Sequence, residues 1–453
     1  MKRVFLMGAG KSTSSLIKYF VENAEKENWN LQIADISVKH LEKIIKGNQR
    51  IQAINFDVNN QDERQNEISK ADIVVSMLPP PMHPIIAKDC LKLKKHLVTA
   101  SYVSDEMKAL DDDAKKAGLI FLNEIGLDPG IDHMSAMKLV NEAKDNNYKV
   151  EGLESFTGGL LSPECEKNNP WKYKFTWNPK NVITAGQGSP VKFIQQGNYK
   201  YIPYHKLFRR TEFIDIEGLE FVGYANRDSL KYLELYGLEN IKTFYRGTLR
   251  RPGFCRAWDI FVQLGLTDNS FIIEDSENMT YREFLNLFLA YSYHDSVEMK
   301  LQHYLHIDQD SDLMKNLEWL DLFKDIKIGL KKASPAQILL HILEQKWTLE
   351  DDDKDMIVMW HKLDYIKNGK LNQLQSSMFV YGEDKTYTAM AKTVGLPVAI
   401  GTKLILNGTI KNRGVHIPIL KEIYEPVLNE LKEYGITFKE RYFDNNNLLD
   451  TAI

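Results

Sequence analysis

The sequence predicts an α/β protein that begins with a doubly wound parallel sheet. Up to residue 125, short apolar runs alternate with helical patterns, and the connections between them are short. Parallel strands need a crossover between them, so this alternation favours a parallel sheet covered by helices. After residue 126 the pattern changes to longer and less apolar strand segments, and from residue 280 to helices. We therefore expect an α+β domain with a mixed sheet and a small all-helical domain to follow.

The predicted elements of the first part have recognisable ends. The apolar runs stop at Gly8, at Asp35 and at the prolines beginning with Pro79, which are residues typical of turns. The predicted strands are residues 3–7, 31–34, 51–56, 73–78, 96–99 and 119–122. The predicted helices are residues 12–23, 38–46, 85–93 and 105–117, where apolar residues recur every three or four positions.

The later elements are less regular. Strand patterns occupy residues 152–157, 213–222 and 242–249, and residues 280–363 are predicted to be predominantly helical. A strand at 378–382 and helices at 386–394, 399–407 and 419–434 follow, with a break at the glycine and proline of residues 395–397.

Length and composition exclude several classes of protein. The 453 residues correspond to roughly three domains of about 150 residues. With 43% hydrophobic and 26% charged residues, the chain is not disordered, collagen-like or of low complexity. The 58 Lys and Arg against 62 Asp and Glu leave a net charge of −4, so we expect no nucleic-acid partner. A local arginine cluster could still hold an acidic substrate.

Cysteine usage and the chain start predict a cytoplasmic protein. The three cysteines form no CxxC pair, which indicates neither a disulfide framework nor a thiol-based zinc site. The basic and apolar start is interrupted by Gly8, Gly10 and Lys11, unlike a signal peptide. No stretch has the ~20 apolar residues of a membrane helix, so we expect no membrane partner. His303 and His306 lack the HExxH pattern, and no metal is predicted.

A glycine turn follows the first predicted strand. Gly8 allows a tight turn, and Gly10 allows the backbone to approach a pyrophosphate at the helix N-terminus. Together they predict a Rossmann-type dinucleotide site formed by the following set: Gly8, Gly10, Lys11, Ser12 and Thr13. A P-loop would need a glycine at position 5, which is Phe5. A glycine turn that binds no ligand is the other alternative.

Asp35 predicts a preference for NAD over NADP. It ends the second predicted strand, where a carboxylate can accept hydrogen bonds from the ribose hydroxyls and would repel a 2′-phosphate. Two alternatives stay open, namely that Asp35 caps the helix near Val38 and that Lys39 pairs with a phosphate. The segment from Ser76 to Pro79 lies where the sheet order should reverse, the expected crevice for the nicotinamide half.

A longer set of motifs carries a resemblance to a known family. The block NEIGLDPGIDH at residues 123–133 is the most specific of them. The other matching segments are residues 100–104, 158–160, 163–164, 173–177, 226–229, 246–250, 387–392, 395–397 and 406–410. Through them the chain resembles the L-glutamate-forming saccharopine dehydrogenases, also called saccharopine reductases, over nearly its whole length.

This resemblance implies a domain organisation. A Rossmann domain spans residues 1–125 and is completed by 396–453. An α+β substrate-binding and dimerisation domain spans 126–279 and 364–395, and a helical domain spans 280–363. A homodimer is implied with it. The acidic Asp35 stands where the fungal NADP-using members carry an arginine, and Lys11 replaces a large apolar residue usual in the glycine turn.

The resemblance also implies the site residues. Further cofactor contacts fall on Asp57, Val58, Leu78, Leu127, Pro129 and Thr176. Substrate neighbours fall on Ser101, Asp128, Arg227, Thr248, Leu249 and Arg250.

The implied substrate, saccharopine, is a secondary amine with three carboxylates, and arginine pairs bidentately with carboxylates. Arg227 and Arg250 are therefore the expected carboxylate ligands, and Arg246 and Arg251 are weaker candidates. Each could instead form a structural ion pair. Asp128 and Tyr102 are the candidates for proton transfer, whereas His133 is more readily explained as a packed residue. Water or the substrate's own groups are alternatives.

The implied activity is that of an NAD(P)-dependent oxidoreductase acting on a CH–NH group. It oxidises saccharopine to L-glutamate and 2-aminoadipate 6-semialdehyde. Two other functions stay open. One is a dehydrogenase of another carboxylated secondary amine, such as carboxynorspermidine. The other is a non-catalytic regulatory protein that binds NAD.

Overall fold

The structure is a computed structural model that describes residues 1–185 and 187–444. It contains two compact units. The first is formed by Met1–Val150 and the chain from Leu363 onward, and the second by Glu151–Lys362. The predicted division into three domains stays a prediction, and residues 445–453 of its completing segment lie outside the described residues.

The first unit is built on a parallel sheet. Its first six strands are β1 (Lys2–Met7), β2 (Trp29–Asp35), β3 (Ile51–Asn55), β4 (Ile73–Ser76), β5 (His96–Thr99) and β6 (Ile120–Leu122). Their order is β6-β5-β4-β1-β2-β3, and every pairing is parallel. Strands β1, β2, β4, β5 and β6 are largely buried because helices cover both faces, whereas β3, at the edge of the sheet, is largely accessible. The predicted doubly wound α/β fold is confirmed.

Seven helices accompany these strands. They are α1 (Ser14–Asn23), α2 (Glu42–Ile45), α3 (Gln61–Lys70), α4 (His83–Leu93), α5 (Asp105–Lys108), α6 (Asp111–Lys116) and α7 (Ile131–Asp145). The predicted helix 38–46 is a short 3₁₀ turn, Lys39–Leu41, followed by α2, and the predicted helix 105–117 is divided into α5 and α6.

Helix α3 was not predicted from the sequence. Its ten residues are nearly all polar, so they show no apolar period. Only Arg64 and Ile68 are buried, and the Asn60 side chain caps the helix by accepting from the Glu63 N–H. The buried arginine pairs with Asp89 on α4 at 2.6 Å. Besides the packing of Ile68 in the core, this polar helix is held by its cap and by the contacts of Arg64.

The second unit contains a mixed sheet. Its strands are β7 (Lys149–Leu161), β8 (Val191–Gln195), β9 (Asn198–Ile202), β10 (Thr211–Ile216), β11 (Leu219–Ala225), β12 (Thr243–Arg250) and β13 (Asp355–Lys367). The order is β10-β11-β12-β7-β13, and β8 pairs with β12 and β9. The β12–β7 pair is parallel, whereas β10–β11, β11–β12 and β8–β9 are antiparallel. The predicted strand 213–222 is in fact a hairpin that turns at Glu217 and Gly218, both with positive φ.

The helices of the second unit are mostly short. They are α8 (Pro179–Thr184), α9 (Tyr204–Leu207), α10 (Leu233–Tyr236), α11 (Phe254–Leu264), α12 (Tyr281–Asn286), α13 (Val297–Leu305), α14 (Asp312–Trp319) and α15 (Pro335–Trp347). Capping boxes at Thr280 and Ser334 start α12 and α15. His306 lies just beyond α13, and no metal-ligand cluster occurs in residues 1–185 and 187–444. The prediction of helix up to residue 363 is wrong, because β13 begins at Asp355. Its first seven residues are all buried, and a continuous apolar run does not distinguish helix from strand.

The chain then returns to the first unit with β14 (Lys370–Tyr381), α16 (Ala389–Leu406), β15 (Gly414–His416), α17 (Lys421–Glu433) and β16 (Lys439–Phe443). Strand β15 pairs in parallel with β6, which extends the first sheet to seven strands. Strands β14 and β16 pair antiparallel.

Helix α16 is continuous where a break was predicted. A Cβ at Gly395 would lie 2.8 Å from the Leu16 backbone nitrogen, so glycine permits the close packing of α16 on α1. Pro397 sits inside the helix, and burial of most of the helix offsets its missing hydrogen bond. Among the described helices, α16 has the length and hydropathy of a membrane span, but 78% of its 18-residue window is buried in the protein, as in a core helix.

Candidate active site

The glycine turn lies at the carboxyl edge of the parallel sheet, where β1 has β2 on one side and β4 on the other. Gly8 has φ +94°, and a Cβ there would lie 2.8 Å from the Met77 carbonyl oxygen, so only glycine fits. A Cβ at Gly10 would meet nothing within 4 Å. The Thr13 hydroxyl donates to the Gly10 carbonyl at 2.7 Å and closes the turn into α1. The turn therefore presents open space at a helix N-terminus, which suits a pyrophosphate. Lys11 and Ser12 lie in this turn.

The Asp35 side chain is hydrogen-bonded to the backbone of the glycine turn. Its Oδ2 accepts the Ala9 N–H at 2.6 Å, and its Oδ1 lies 3.3 Å from the Ser37 nitrogen. The side chain does not cap the helical turn that starts at Lys39, whose N-cap position has no side-chain hydrogen bond. The carboxylate thus stands half-buried at the end of β2, where a ribose would lie in a Rossmann site.

Other predicted cofactor residues surround the same sheet edge. Asp57 and Val58 follow β3, and Leu78 lies two residues beyond β4. The Asp57 carboxylate accepts the Asn59 N–H at 2.9 Å, which shapes the turn after β3. These residues and the glycine turn fit a dinucleotide along the carboxyl ends of β1 to β4.

Asp128 lies in a compact turn between β6 and α7. The Gly126 N–H donates to the Pro129 carbonyl at 2.9 Å, and the Ile131 N–H donates to the Gly126 carbonyl at 2.9 Å. Leu127 and Pro129 are buried, while Asp128 is partly exposed. The Tyr102 hydroxyl donates to Asp128 Oδ1 at 3.0 Å. The two predicted proton-transfer candidates are therefore direct hydrogen-bond partners.

Glu124 holds the two loops that carry this pair. It has a left-handed backbone, with φ 54°, and its side chain is almost wholly buried. Its Oε1 accepts the Val103 N–H at 2.9 Å, and its Oε2 lies 2.8 Å from His133 Nε2. His133 is fully buried, so it is packed as expected. The role of Glu124 was not predicted, because nothing in a single sequence distinguishes a buried glutamate from a surface one.

We expect Gly130→Ala to destabilise this turn strongly. Gly130 has φ +147°, and an added Cβ would lie 2.0 Å from the Gly126 carbonyl oxygen. The backbone strain and the clash should lower the free energy of unfolding by about 3 kcal/mol or more. Chemical denaturation measures this effect. Gly118→Ala is the matched control, since φ is +71° with nothing within 4 Å of the added Cβ. It should cost only about 1 kcal/mol. Equal losses for the two variants would contradict this reading of the turn.

His83 forms a second cluster, which was not predicted. Its Nδ1 lies 2.9 Å from Ser76 Oγ, and its Nε2 lies 2.7 Å from Ser101 Oγ. Burial lowers the pKa of His83 from 6.5 to about 4. The folded protein thus keeps this ring neutral, whereas the unfolded chain protonates it below about pH 6.5. His83 therefore reduces stability as pH falls from 6.5 towards 4, and it has no such effect at higher pH.

In the second unit, strand β12 separates the predicted substrate residues onto two faces. Successive side chains of a strand alternate, so Arg246, Thr248 and Arg250 share one face. Leu249 is on the opposite face, next to Gly158. A Cβ added to Gly158 would lie 2.8 Å from the Cβ of Leu249. Leu249 is fully buried there.

Arg250 is a buried guanidinium without an acidic partner among the residues described. Its Nη1 donates to the Leu249 carbonyl at 2.9 Å, and its Nε–H has no hydrogen-bond partner there. Its Cζ lies 5.0 Å from the ring centroid of Tyr173 and 5.3 Å from that of Phe254. Burial raises the pKa of Tyr173, so this phenol stays neutral. An unpaired buried cation in an aromatic cage is the geometry expected of an anion receptor.

The neighbouring arginines are arranged differently. Arg251 pairs with Glu166 at 2.6 Å and stacks on Phe221, so it is already committed to a structural ion pair. Arg246 is buried, with its Cζ 4.6 Å from the Tyr232 ring centroid. Arg227 is exposed after β11 and has a left-handed backbone, with φ 51°.

Thr176 also belongs to the second unit, where it is buried. Its hydroxyl has no partner among the residues described. Two units carry the predicted site residues, and the roles assigned to them individually stay predictions.

Comparisons with known proteins identify relatives of the chain. Alpha-aminoadipic semialdehyde synthase of Arabidopsis thaliana is 33% identical over 447 residues, which is 93% of this chain and 42% of the plant protein. The chain thus spans less than half the length of that relative. Saccharopine dehydrogenase [NADP(+), L-glutamate-forming] of Saccharomyces cerevisiae is 32% identical over 450 residues, 97% of this chain and 99% of the yeast protein. The solved structure of apo saccharopine dehydrogenase (L-Glu forming) from S. cerevisiae has a TM-score of 0.86 at 31% identity, covering 98% of this chain and 100% of that one.

The fold and the glycine turn define a dinucleotide-binding protein of the Rossmann type. Residues 4–122 match the model of the saccharopine dehydrogenase NADP binding domain, and residues 126–436 match that of the saccharopine dehydrogenase C-terminal domain. The chain belongs to the saccharopine dehydrogenase family.

Proposed function

We propose that this protein oxidises saccharopine, with NAD and water, to L-glutamate and 2-aminoadipate 6-semialdehyde in lysine metabolism. The observation that carries the proposal is Arg250. Burying a cation whose Nε–H has no hydrogen-bond partner costs free energy, and an anion that pairs with the cation and accepts this N–H offsets the cost. A substrate carboxylate is such an anion, and saccharopine carries three of them. The relatives' names support the same activity.

The Arg250 cage is suited to a carboxylate in particular. A guanidinium presents a planar fork that two carboxylate oxygens can accept from at once. Tyr173 and Phe254 restrict that fork, and Trp347 packs on both rings at centroid distances of 5.1 and 6.1 Å. The arginine is therefore held in place before substrate binds, so little side-chain entropy is lost on binding. Thr248, on the same face of β12, is the next polar group along the strand.

Asp128 and Tyr102 are the groups we assign to proton transfer. Oxidation requires the substrate amine to lose a proton before a hydride leaves the adjacent carbon. The resulting imine adds water, and the C–N bond breaks to release L-glutamate and the aldehyde. The bound nucleotide supplies the hydride acceptor. The Tyr102 hydroxyl donates to Asp128 Oδ1 at 3.0 Å, which orients the carboxylate and keeps the two candidate groups together.

NAD is the nucleotide we propose, although the fungal relatives are named for NADP(+). Asp35 supports this choice, because its negative charge stands at the end of β2 and would repel a 2′-phosphate. Its bond to the Ala9 N–H fixes that charge beside the glycine turn.

The test is a spectrophotometric assay of the purified protein. Saccharopine with NAD should produce reduced nicotinamide and an equal amount of L-glutamate, and the rate with NADP should be lower. Carboxynorspermidine serves as the comparison substrate and should be oxidised much more slowly. Absence of turnover of saccharopine with both nucleotides would contradict the proposal, and tight nucleotide binding without turnover would favour a regulatory protein.

We also propose a homodimer, on the basis of the family resemblance, and a cytoplasmic location, on the basis of the cysteine usage. Light scattering should then give twice the subunit mass of 52.4 kDa. A mass of one subunit at micromolar concentration would exclude a stable dimer.

A further inference from the structure

His83 connects the carboxyl ends of two neighbouring strands. It is the first residue of α4, which follows β4 after a proline-rich turn. Its Nδ1 lies 2.9 Å from the hydroxyl of Ser76, the last residue of β4. Its Nε2 lies 2.7 Å from the hydroxyl of Ser101, two residues beyond β5, and 3.4 Å from that of Thr99. Both ring nitrogens are therefore used, one on each strand.

This cluster cannot carry protons to solvent. Ser76 is fully buried and His83 is 4% exposed, so the chain of hydroxyl, imidazole and hydroxyl is closed at the β4 end. Burial lowers the pKa of His83 to about 4, so the imidazole stays neutral near neutral pH. The cluster is consequently suited to orienting a group and not to moving a proton.

Ser101 is the group that can be oriented. It is partly exposed at the sheet edge, in contrast to Ser76. Its N–H donates to Thr99 Oγ1 at 3.2 Å, and its carbonyl accepts the Glu124 N–H at 3.1 Å. With the backbone fixed in this way, the hydroxyl can still rotate about χ1 and about its Cβ–Oγ bond, and the bond to His83 Nε2 restricts both rotations.

We propose that His83 is a positioning residue that fixes the Ser101 hydroxyl in the orientation in which it meets the substrate. This inference rests on the proposed function, because it takes the ligand of Ser101 to be saccharopine. His83 itself does not touch the substrate. A neutral imidazole has one donor and one acceptor nitrogen, so it can hold one hydroxyl at each end, donating to one and accepting from the other.

The test compares His83→Asn with His83→Gln. The asparagine amide can replace Nδ1 and reach Ser76, whereas the glutamine amide can replace Nε2 and reach Ser101. His83→Asn should raise the KM for saccharopine about tenfold, as Ser101→Ala should, while the KM for NAD stays within about twofold of the parent. His83→Gln should stay within about threefold of the parent. The double variant with His83→Asn and Ser101→Ala should be no worse than Ser101→Ala alone, since both remove the same contact.

A structural role would give a different pattern. Equal losses for the asparagine and glutamine variants, additive losses in the double variant, or a matching rise in the KM for NAD would overturn the proposal. His96→Asn is the matched control, because His96 lies at the opposite end of β5 and accepts the Ile120 N–H at 3.0 Å. It should leave the KM for saccharopine unchanged.

A second measurement separates this inference from the proposed function. If the parent protein turns over no saccharopine, the function fails, and the imidazole ¹⁵N shifts still test the contact. Ser101→Ala should move the Nε2 shift of His83 and leave the Nδ1 shift close to that of the parent. An unchanged Nε2 shift would show that His83 does not hold Ser101.

Discussion

Replacing Arg250 with methionine should raise the KM for saccharopine about a hundredfold or more and leave the protein at least as stable as the parent. Charge-assisted hydrogen bonds contribute about 1.5–3 kcal/mol each, and a bidentate pair loses two of them. That loss of about 3–6 kcal/mol corresponds to a factor of about a hundred to about twenty thousand. Stability should not fall, because methionine fills a similar volume and removes a buried cation that lacks an acidic partner among the described residues.

Arg251→Met provides the matched control for this prediction. Arg251 is the next residue along the chain and is equally buried, but it pairs with Glu166 at 2.6 Å. Its removal leaves a largely buried carboxylate without its partner, which costs about 3–5 kcal/mol. Thermal unfolding and steady-state kinetics should therefore separate the two variants. Arg251→Met should unfold at a lower temperature and keep its KM for saccharopine. A large loss of stability in Arg250→Met with an unchanged KM would mean that Arg250 is structural.

Asp35→Arg should reverse the nucleotide preference, with the ratio of kcat/KM for NAD over NADP falling by about a thousandfold. The carboxylate can accept from ribose hydroxyls and repels a 2′-phosphate, and the substitution inverts both effects. One lost charged hydrogen bond and one gained phosphate contact together account for about 4 kcal/mol. Kinetics with both nucleotides at saturating saccharopine measure the ratio.

Asp35→Asn separates the two roles of this side chain. The amide oxygen can still accept the Ala9 N–H, so the glycine turn should keep its shape, while the negative charge is lost. We expect NADP to improve and NAD to weaken only modestly. Asp72→Asn is a suitable control, since Asp72 also accepts a backbone N–H, that of Arg3, at 2.7 Å, but lies at the opposite end of the sheet. An unchanged selectivity in Asp35→Arg would remove the ribose argument.

Local patterns predicted the parts of the fold that depend on local physics. Strands β1 to β6 were each placed to within a few residues, because buried parallel strands are short apolar runs that end at turn residues. The sequence predictions fail where tertiary contacts, and not local patterns, determine the secondary structure. Helix α3 has no apolar period and depends on the pairing of Arg64 with Asp89, and α16 passes through Pro397 because its packing offsets the lost hydrogen bond. Strand β13 was mistaken for helix because a fully buried segment shows no alternation.

The residues of the candidate site likewise fall into those that the sequence predicts and those that only tertiary contacts explain. The glycine turn and Asp35 follow from motif and position, since their geometry is set within one strand and one turn. Arg250 and Arg251 stand side by side in the sequence, and only the structure shows that one is paired with Glu166 and the other is not. His83 could not be predicted, because its partners are Ser76 and Ser101, which a single sequence does not place next to it.

The pairing of β15 with β6 affects how the protein folds during its synthesis on the ribosome. Gly414 pairs with Ile120, so nearly 300 residues must be translated before the edge of the first sheet receives its last strand. At about 5–20 residues per second, that interval is some tens of seconds. During it the nascent chain exposes the unpaired backbone of β6, which is a template for association with other chains. Translation speed and chaperone capture should therefore influence the yield of this protein more than its final stability does.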